Sequence, residues 1–511
     1  MGPCIPSPSA RRPARPDPGD SVAPLRILQV ASELAPIAKT GGLADVVSAL
    51  SNELARRDHD VKVILPLHRA VSRAGVALEP VRGLEALDVA LGPRKGQLRV
   101  LRASVPGQAA EVLCLERKEL FDRESLYTAD ADEPLRFAVL CRAALAVCQS
   151  LGWAPDIVHA HDWHAAWLPL QVRMLSTWDK LFAETATLLT IHNIGYQGTC
   201  DAALAEDLGL GDLMGELDAA DLRAGRLNPL RTGILHADAV TTVSETYARE
   251  LLSPEQGMGL EGTLAARADG IVGIVNGIDE AVWSPEHDVH IPVRYTAATL
   301  PRKQANTQAL LQRVGLAPKG SGPVFGVVSR LAWQKGFDLL MGTLPRVLEQ
   351  HDARLVVLGS GEARYADFFR RLSEAMPQRA AYVDAFADDL AHLIEAGADA
   401  FLMPSRYEPC GLNQMYSQRY GTVPVVHRTG GLADTVESYD PETRRGTGVV
   451  FDHFREDAMA WALQATVALH AQPKHWIACQ RNGMARDFSW VRQAGRYERL
   501  FAGLVARRAR A

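Results

Sequence analysis

Residues Thr40–Asp45 read Thr-Gly-Gly-Leu-Ala-Asp, and the same six residues recur at Thr429–Asp434. Each copy follows a strand-like run, Arg26-Ile-Leu-Gln-Val-Ala-Ser in the first case and Thr422-Val-Pro-Val-Val-His in the second, and each is expected to open an amphipathic helix. Paired glycines after a strand let the backbone approach a ligand at a helix N-terminus, where unpaired amides and the helix dipole favour an anion. A single copy reads equally well as a plain strand-to-helix turn. Two copies, one near each end of the chain, point to two α/β halves facing one cleft.

Short β-branched runs support that division. They occur at Val61–Leu67, Asp156–His161, Thr187–Asn193, Ala239–Ser244 and Gly270–Asn276, with helical stretches between many of them. After Trp283-Ser-Pro the pattern restarts at Val324–Arg330, Arg354–Gly361, Ala380–Phe386, Ala400–Ser405 and Thr422–His427. Alternation of strand and helix implies mostly parallel sheets covered on both faces, so each half is expected to be a Rossmann-like, doubly wound unit with ligands at the carboxyl ends of its strands. Asn276-Gly-Ile-Asp, followed by Ser284-Pro, is the expected hinge, and Pro318–Pro323 a loop inside the second half.

At 511 residues the chain exceeds the size at which one core stops growing, and 47% hydrophobic content can supply two. A formal charge of -5 carries no basic footprint, which argues against nucleic acid or an anionic membrane as the partner. The seven cysteines are scattered and lack any C-x-x-C pair, so neither a disulfide framework nor a structural zinc site is expected, and a reducing cytoplasm is. No uninterrupted apolar run approaches the roughly 18 residues of a membrane span. Residues 1–24, rich in Pro, Arg and Ser and without a secretory apolar segment, read as a disordered extension.

Candidate chemistry collects at predicted strand ends. Lys39 precedes the first glycine loop, where its ammonium can reach a phosphate held by loop amides or simply be solvated. No G-x-x-x-x-G-K-[ST] motif is present and neither glycine loop has the G-x-G-x-x-G spacing, which disfavours a P-loop hydrolase and a dinucleotide dehydrogenase. Arg330 and Lys335 follow the strand at Val324–Val328; a fixed guanidinium and a mobile ammonium suit a diphosphate leaving group, or form an ordinary surface pair. With phosphate charge met in this way no metal is required. Glu408-Pro-Cys-Gly-Leu-Asn-Gln follows another strand and opens a helix, so the amides of Cys410, Gly411 and Leu412 would face a ligand, with Glu408 accepting from sugar hydroxyls or complementing the helix dipole. His159-Ala-His-Asp-Trp-His invites a metal reading, but the turn before His164 breaks the geometry; Asp162 beside Trp163 suits sugar binding better. His192-Asn193 is a further polar pair at a strand end. Gly359-Ser-Gly-Glu is a third glycine turn.

Together, KTGGLADVV, HAHDWHA, IHNIGYQG, TTVSETYA, IVNGID, SRLAWQKGFDLL, PSRYEPCGLNQ and RTGGLADTV resemble the bacterial glycogen synthase and plant starch synthase family, in order from about Arg26 to the Phe488-Ser-Trp region. The resemblance implies the GT-B fold: two Rossmann-like domains facing a central cleft, with a C-terminal helix returning to the N-terminal domain. It implies an acceptor-side domain over 25–278, a nucleotide-sugar domain over 279–488 and the returning helix and tail over 489–511. Carried over by motif, Lys39, Arg330 and Lys335 resemble donor pyrophosphate ligands, with Gly41 and Gly42 allowing close approach, and Asn276 stands where the family has a polar residue facing the cleft. His192 resembles the histidine beside the transferred glucose, Glu408 the glutamate on the sugar beside the amides of Cys410 and Gly411, and Asp162 and Tyr127 residues of the acceptor side. Phe386 stands where an aromatic would stack on adenine. Two departures are visible: Tyr416 occupies the position of a second glutamate found in related retaining transferases, and Asn413 stands where some members have threonine.

The activity so implied is retaining transfer of glucose from ADP-glucose to the non-reducing-end 4-hydroxyl of an α-1,4-glucan such as glycogen, releasing ADP, without a cofactor. UDP-glucose as donor, a nucleotide-sugar epimerase of the same fold and a catalytically silent glucan-binding protein remain open alternatives at this point.

Overall fold

The computed structural model describes residues 22–318 and 320–510, so the expected disordered extension lies, up to residue 21, outside the described residues. Two sheets organise the chain. The first has ten strands, ordered Val272–Gly273, Ala239–Thr242, Ala186–Ile191, Ile157–His161, Arg26–Val30, Asp60–Pro66, Glu111–Glu116, Arg94–Ser104 and Ala77–Pro80, with Leu87–Leu91 also paired to Arg94–Ser104. The strands as far as Glu111–Glu116 are parallel, and the last pairings are antiparallel. The second sheet has six strands, all parallel, ordered Ala380–Val383, Arg354–Leu358, Val324–Val328, Ala400–Met403, Val423–His427 and Val449–Phe451.

Numbering only the parallel strands along the chain, both sheets follow the order 3-2-1-4-5-6, and the first sheet adds a seventh. In such a sheet the chain leaves strand 1 in one direction and returns on its other side at strand 4, which opens a crevice above the carboxyl ends of those two strands. That pair is Arg26–Val30 with Ile157–His161 in the first sheet, and Val324–Val328 with Ala400–Met403 in the second. The loops that leave these four strands carry Lys39 to Gly42, Asp162, Arg330 with Lys335, and Glu408.

The elements differ from expectation in several places. The antiparallel excursion between residues 77 and 104 escapes a search for continuous apolar runs because its strands alternate: Leu87, Val89 and Leu91 are buried while Asp88 and Ala90 face outward. The run at 270–276 shortens to Val272–Gly273, and Val449–Phe451 adds a strand at the far edge. The second copy of the repeated hexapeptide opens a helix of only six residues, Gly430–Thr435, against fifteen for Gly42–Arg56 after the first copy.

Apolar clusters cover both faces of each sheet. The helix Glu133–Leu151 is long and apolar enough, by length and composition, to cross a membrane. Its composition is accounted for by burial in the first core, where even Arg136 is enclosed and donates to the carbonyls of Leu120 and Leu126. The final helix, Trp490–Arg508, places Trp490, Ala494, Tyr497, Phe501 and Leu504 in the core of the first half, and Arg57 binds Glu498 at 2.6 Å. The two crossings between halves lie side by side: the Ile278 amide donates to the Phe488 carbonyl at 2.8 Å, and a methyl group on Gly277 would come within 2.9 Å of Trp490. Ile278 and Phe488 join Val243, Cys410, Met415 and Tyr416 in an apolar cluster beneath the cleft.

Candidate active site

A cleft of about 880 Å³ lies between the halves, over both strand crossovers. Lys39, Gly41, Gly42, Tyr127, Asp162, Trp163, His192 and Asn276 line it from one side, and Arg330, Lys335, Phe386, Glu408, Cys410, Gly411, Leu412 and Asn413 from the other. Every residue that the family resemblance assigns to the site is therefore brought to one cavity, whereas His159, His161 and the second hexapeptide do not line it. The halves nearly touch across it, since a methyl group on Gly42 would lie 3.6 Å from the Leu412 side chain.

The cations are held differently. Lys39 pairs with Asp45 at 2.8 Å, and Lys335 with Glu408 at 2.7 Å. Ser405 donates to the same Glu408 oxygen at 2.8 Å, which fixes that carboxylate below the wall of the cleft. Arg330 is exposed and makes no ion pair among the described residues. Its loop is braced by the glycine turn at 359–361: a methyl group on Gly359 would lie 1.8 Å from the Ser329 carbonyl oxygen, and one on Gly361 2.2 Å from that of Leu331. Only glycine permits this approach, so the third glycine turn supports the arginine loop, while Gly359 also borders the cleft.

Asp162 sits at the start of a short helix with a left-handed backbone, φ 54°, a conformation that costs free energy in a non-glycine residue. Its carboxylate accepts the amides of His192 at 2.7 Å and Asn193 at 3.3 Å. Burial pushes its pKa up to about 7, against the opposing pull of those two amides. Burial likewise lowers His192 to about 3, so its imidazole is neutral. His192 contacts His161 at 2.9 Å, His161 reaches Gln29 at 2.7 Å, and His159 reaches Thr190 at 2.6 Å. The histidines of the His159-Ala-His-Asp-Trp-His stretch thus form a buried polar ladder along the strand, and His164 stacks on Tyr127 with ring centres 4.8 Å apart.

Some of the expected groups are already engaged by the protein. The Asn413 amide donates to the Val328 carbonyl at 2.8 Å, closing the end of the strand that feeds Arg330. The Trp163 ring packs against Phe137 and His164, and Gly198 crowds it so closely that a methyl group there would lie 2.1 Å from the indole. Phe386, by contrast, is 88% exposed on the rim. Asn276 is buried, and its Oδ1 has no partner among the described residues.

The structure adds Glu33, which sequence reasoning missed. Buried beside the first glycine loop, it accepts the Thr40 amide and hydroxyl, each at 2.7 Å, the Gly41 amide at 3.3 Å and the Tyr127 hydroxyl at 2.6 Å. The loop does bind an anion through its amides, and that anion is a carboxylate of the protein itself. The available signal was a glutamate directly after the first strand, seven residues before the loop threonine. Glu395, also lining the cleft, is pushed up to about 8 by burial.

Residues 26–266 match the family described as starch synthase catalytic domain, and residues 311–482 that of glycosyl transferases group 1. The chain is 42% identical to glycogen synthase 2 of Geobacter sulfurreducens, over 93% of this chain and 98% of the relative. It is 44% identical to the glycogen synthase of Myxococcus xanthus, over 94% and 100%. Among solved structures, the catalytic domain of starch synthase IV from Arabidopsis thaliana, bound to ADP and acarbose, superposes with a TM-score of 0.87 at 31% identity, covering 95% of this chain and all of that one. A sucrose-phosphate synthase from Thermosynechococcus elongatus shares the fold at a TM-score of 0.59 and 16% identity. The two doubly wound halves, the cleft between their crossovers and these likenesses over nearly the full length place the chain in the glycogen synthase and starch synthase family of GT-B glucosyltransferases.

Proposed function

We propose that this glucosyltransferase moves glucose from ADP-glucose to the non-reducing-end 4-hydroxyl of an α-1,4-glucan, with retention at the anomeric carbon and release of ADP. The observation that carries the reading is the delivery of Lys39, Arg330 and Lys335 to one cleft from both strand crossovers, with Arg330 left without an ion-pair partner among the described residues. In this reading the cations bind the diphosphate and neutralise the charge that grows on its leaving oxygen as the anomeric carbon becomes oxocarbenium-like. Gly41 and Gly42 allow the backbone close to the donor, Asn276 and the Cys410–Asn413 segment line its path, and exposed Phe386 offers a face for the base. Glu408 and neutral His192 flank the glucose. Asp162, Tyr127 and Trp163 belong to the acceptor side. The departing phosphate oxygen takes the proton of the acceptor hydroxyl on the same face, since no carboxylate is assigned as nucleophile, and the narrow gap at Gly42 and Leu412 excludes water that would hydrolyse the donor.

Boundaries at 278/279 and 488/489, where the two crossings pair through Ile278 and Phe488, divide the acceptor-side domain, the nucleotide-sugar domain and the returning helix. Six described cysteines are free thiols, which fits a reducing cytoplasm. The test is incubation with ADP-glucose, with and without glycogen, following ADP release and product linkage. ADP release that requires the glucan, with glucose added in an α-1,4 linkage, is expected. Donor turnover without an acceptor would overturn the reading in favour of an isomerase, and faster initial rates with UDP-glucose would overturn the choice of donor.

A further inference from the structure

Between the two halves the chain crosses the outside of the second domain as a strap, and within it Asp288 and His290 meet the helix Asp388–Gly397. Asp388 and His392 are one turn apart on that helix and therefore share a face. Ligand-type atoms of His290, Asp388 and His392 all lie within 4.8 Å of one another, the one His/Cys/Asp/Glu group of this kind among the described residues.

His392 is prepared for a ligand in a way that chance exposure does not explain. It is fully buried, and its Nδ1 lies 2.8 Å from Asp288 Oδ2, itself fixed by the Tyr420 hydroxyl at 2.5 Å. The other Asp288 oxygen accepts the amide of His290 at 2.8 Å, so the same carboxylate also sets the strap residue. A proton on Nδ1 donated to Asp288 leaves the Nε2 lone pair unprotonated, and Nε2 has no partner among the described residues. The ring is clamped on one face by Trp283, 3.8 Å away and nearly parallel, and the His290 ring lies 4.7 Å off. A carboxylate that orients a histidine through its far nitrogen is the arrangement found behind metal-bound imidazoles. The neighbouring Asp389 is drawn off to Arg313 at 2.8 Å, while Asp388 makes no ion pair of its own among the described residues.

We infer that His290, Asp388 and His392 form a binding site for a divalent transition-metal ion of the zinc class. Two imidazoles and one carboxylate suit such an ion, with water completing a tetrahedral shell. Exposed His290 and Asp388 have the rotamer freedom to close on an ion held by buried His392. Asp388 also lines the cleft two residues from Phe386, so the bound metal staples the interdomain strap to the rim. Metal binding here does not depend on the glucosyl-transfer reading.

The test strips the full-length protein with chelator and measures zinc uptake by equilibrium dialysis, for wild type, His290→Ala and Asp388→Asn. Both changes fall on exposed side chains, which spares the buried His392, and unchanged melting without zinc establishes that the variants are folded. One zinc ion per chain in the wild type, weakened at least about tenfold in each variant, is expected, together with an anomalous-scattering peak between the three side chains. Sub-stoichiometric binding at micromolar zinc, uptake equal in all three proteins, or a peak elsewhere overturns the proposal.

Discussion

The two copies of Thr-Gly-Gly-Leu-Ala-Asp are identical in sequence and opposite in use. In the first, a methyl group on Gly41 would meet no atom within 4 Å, and one on Gly42 only Leu412 across the cleft at 3.6 Å. In the second, a methyl on Gly430 would lie 2.0 Å from the Glu408 carbonyl oxygen, and one on Gly431 2.0 Å from that of Cys410. Packing demands glycine in the second copy and not in the first. The loop amides face carboxylates in both, Glu33 of the same half in the first and Glu250 of the opposite half in the second, where the Gly430 amide reaches Glu250 Oε1 at 3.0 Å. The closing aspartates diverge too: Asp45 pairs with Lys39, whereas Asp434 accepts from Ser244 at 2.7 Å and from the Thr246 amide at 3.0 Å, capping the helix Glu245–Glu250. Glu250 and Asp434 thus cap each other's helices across the domain boundary. One hexapeptide lines the cleft; the other ties the halves together and supports the backbone beneath Glu408.

That contrast can be broken by substitution. The largest effect is expected from Lys39→Ala or Arg330→Ala, which remove a cation that we propose faces the developing charge and should lower kcat by about 10²–10³, measured as glucan-dependent ADP release. Next, Gly431→Ala should destabilise the protein by about 1–3 kcal/mol or more through overpacking, while Gly41→Ala, at an extended backbone with open space, should stay within about 0.5 kcal/mol in urea unfolding and raise the KM for donor. Equal stability losses in the two variants would erase the distinction.

Asp162 provides a test by pH. Its folded pKa, raised to about 7 from 3.8, means the fold retains a proton that the unfolded chain has released. The stability it lends is full below the unfolded value, falls as pH rises through the folded one, and then levels off. Asp162→Asn keeps an acceptor for the two amides, so its stability relative to wild type should rise by about 2–3 kcal/mol between pH 5 and pH 8 even as activity is lost. A modest loss is expected for Glu250→Ala, about 1 kcal/mol for loss of a cap in thermal unfolding. No change at all would mean the boundary contact is incidental.

The doubly wound halves were legible because parallel, buried strands are near-continuous apolar runs, and the repeated hexapeptide marked two of the strand ends. What escaped was whatever the tertiary structure alone decides. The alternating strands at 77–104 follow a different period. Glu33 and Glu250 are single glutamates whose roles depend on which amides the fold brings to them. Trp163 and Asn413 were legible as cleft residues, but Gly198 and the Val328 carbonyl, which occupy them, are distant in sequence. Identical motifs cannot reveal that Gly430 and Gly431 meet the Glu408–Cys410 backbone, because that contact lies between the loops that leave two neighbouring strands.

The central claim is that cations from both crossovers hold a diphosphate. It is tested most directly by calorimetric binding of ADP and AMP to wild type and to the Lys39→Ala/Arg330→Ala/Lys335→Ala triple variant. The account predicts that wild type prefers ADP by at least about tenfold, equivalent to roughly 1.4 kcal/mol, and that the triple variant binds the two nucleotides alike. A preference for ADP that survives loss of all three cations would contradict it.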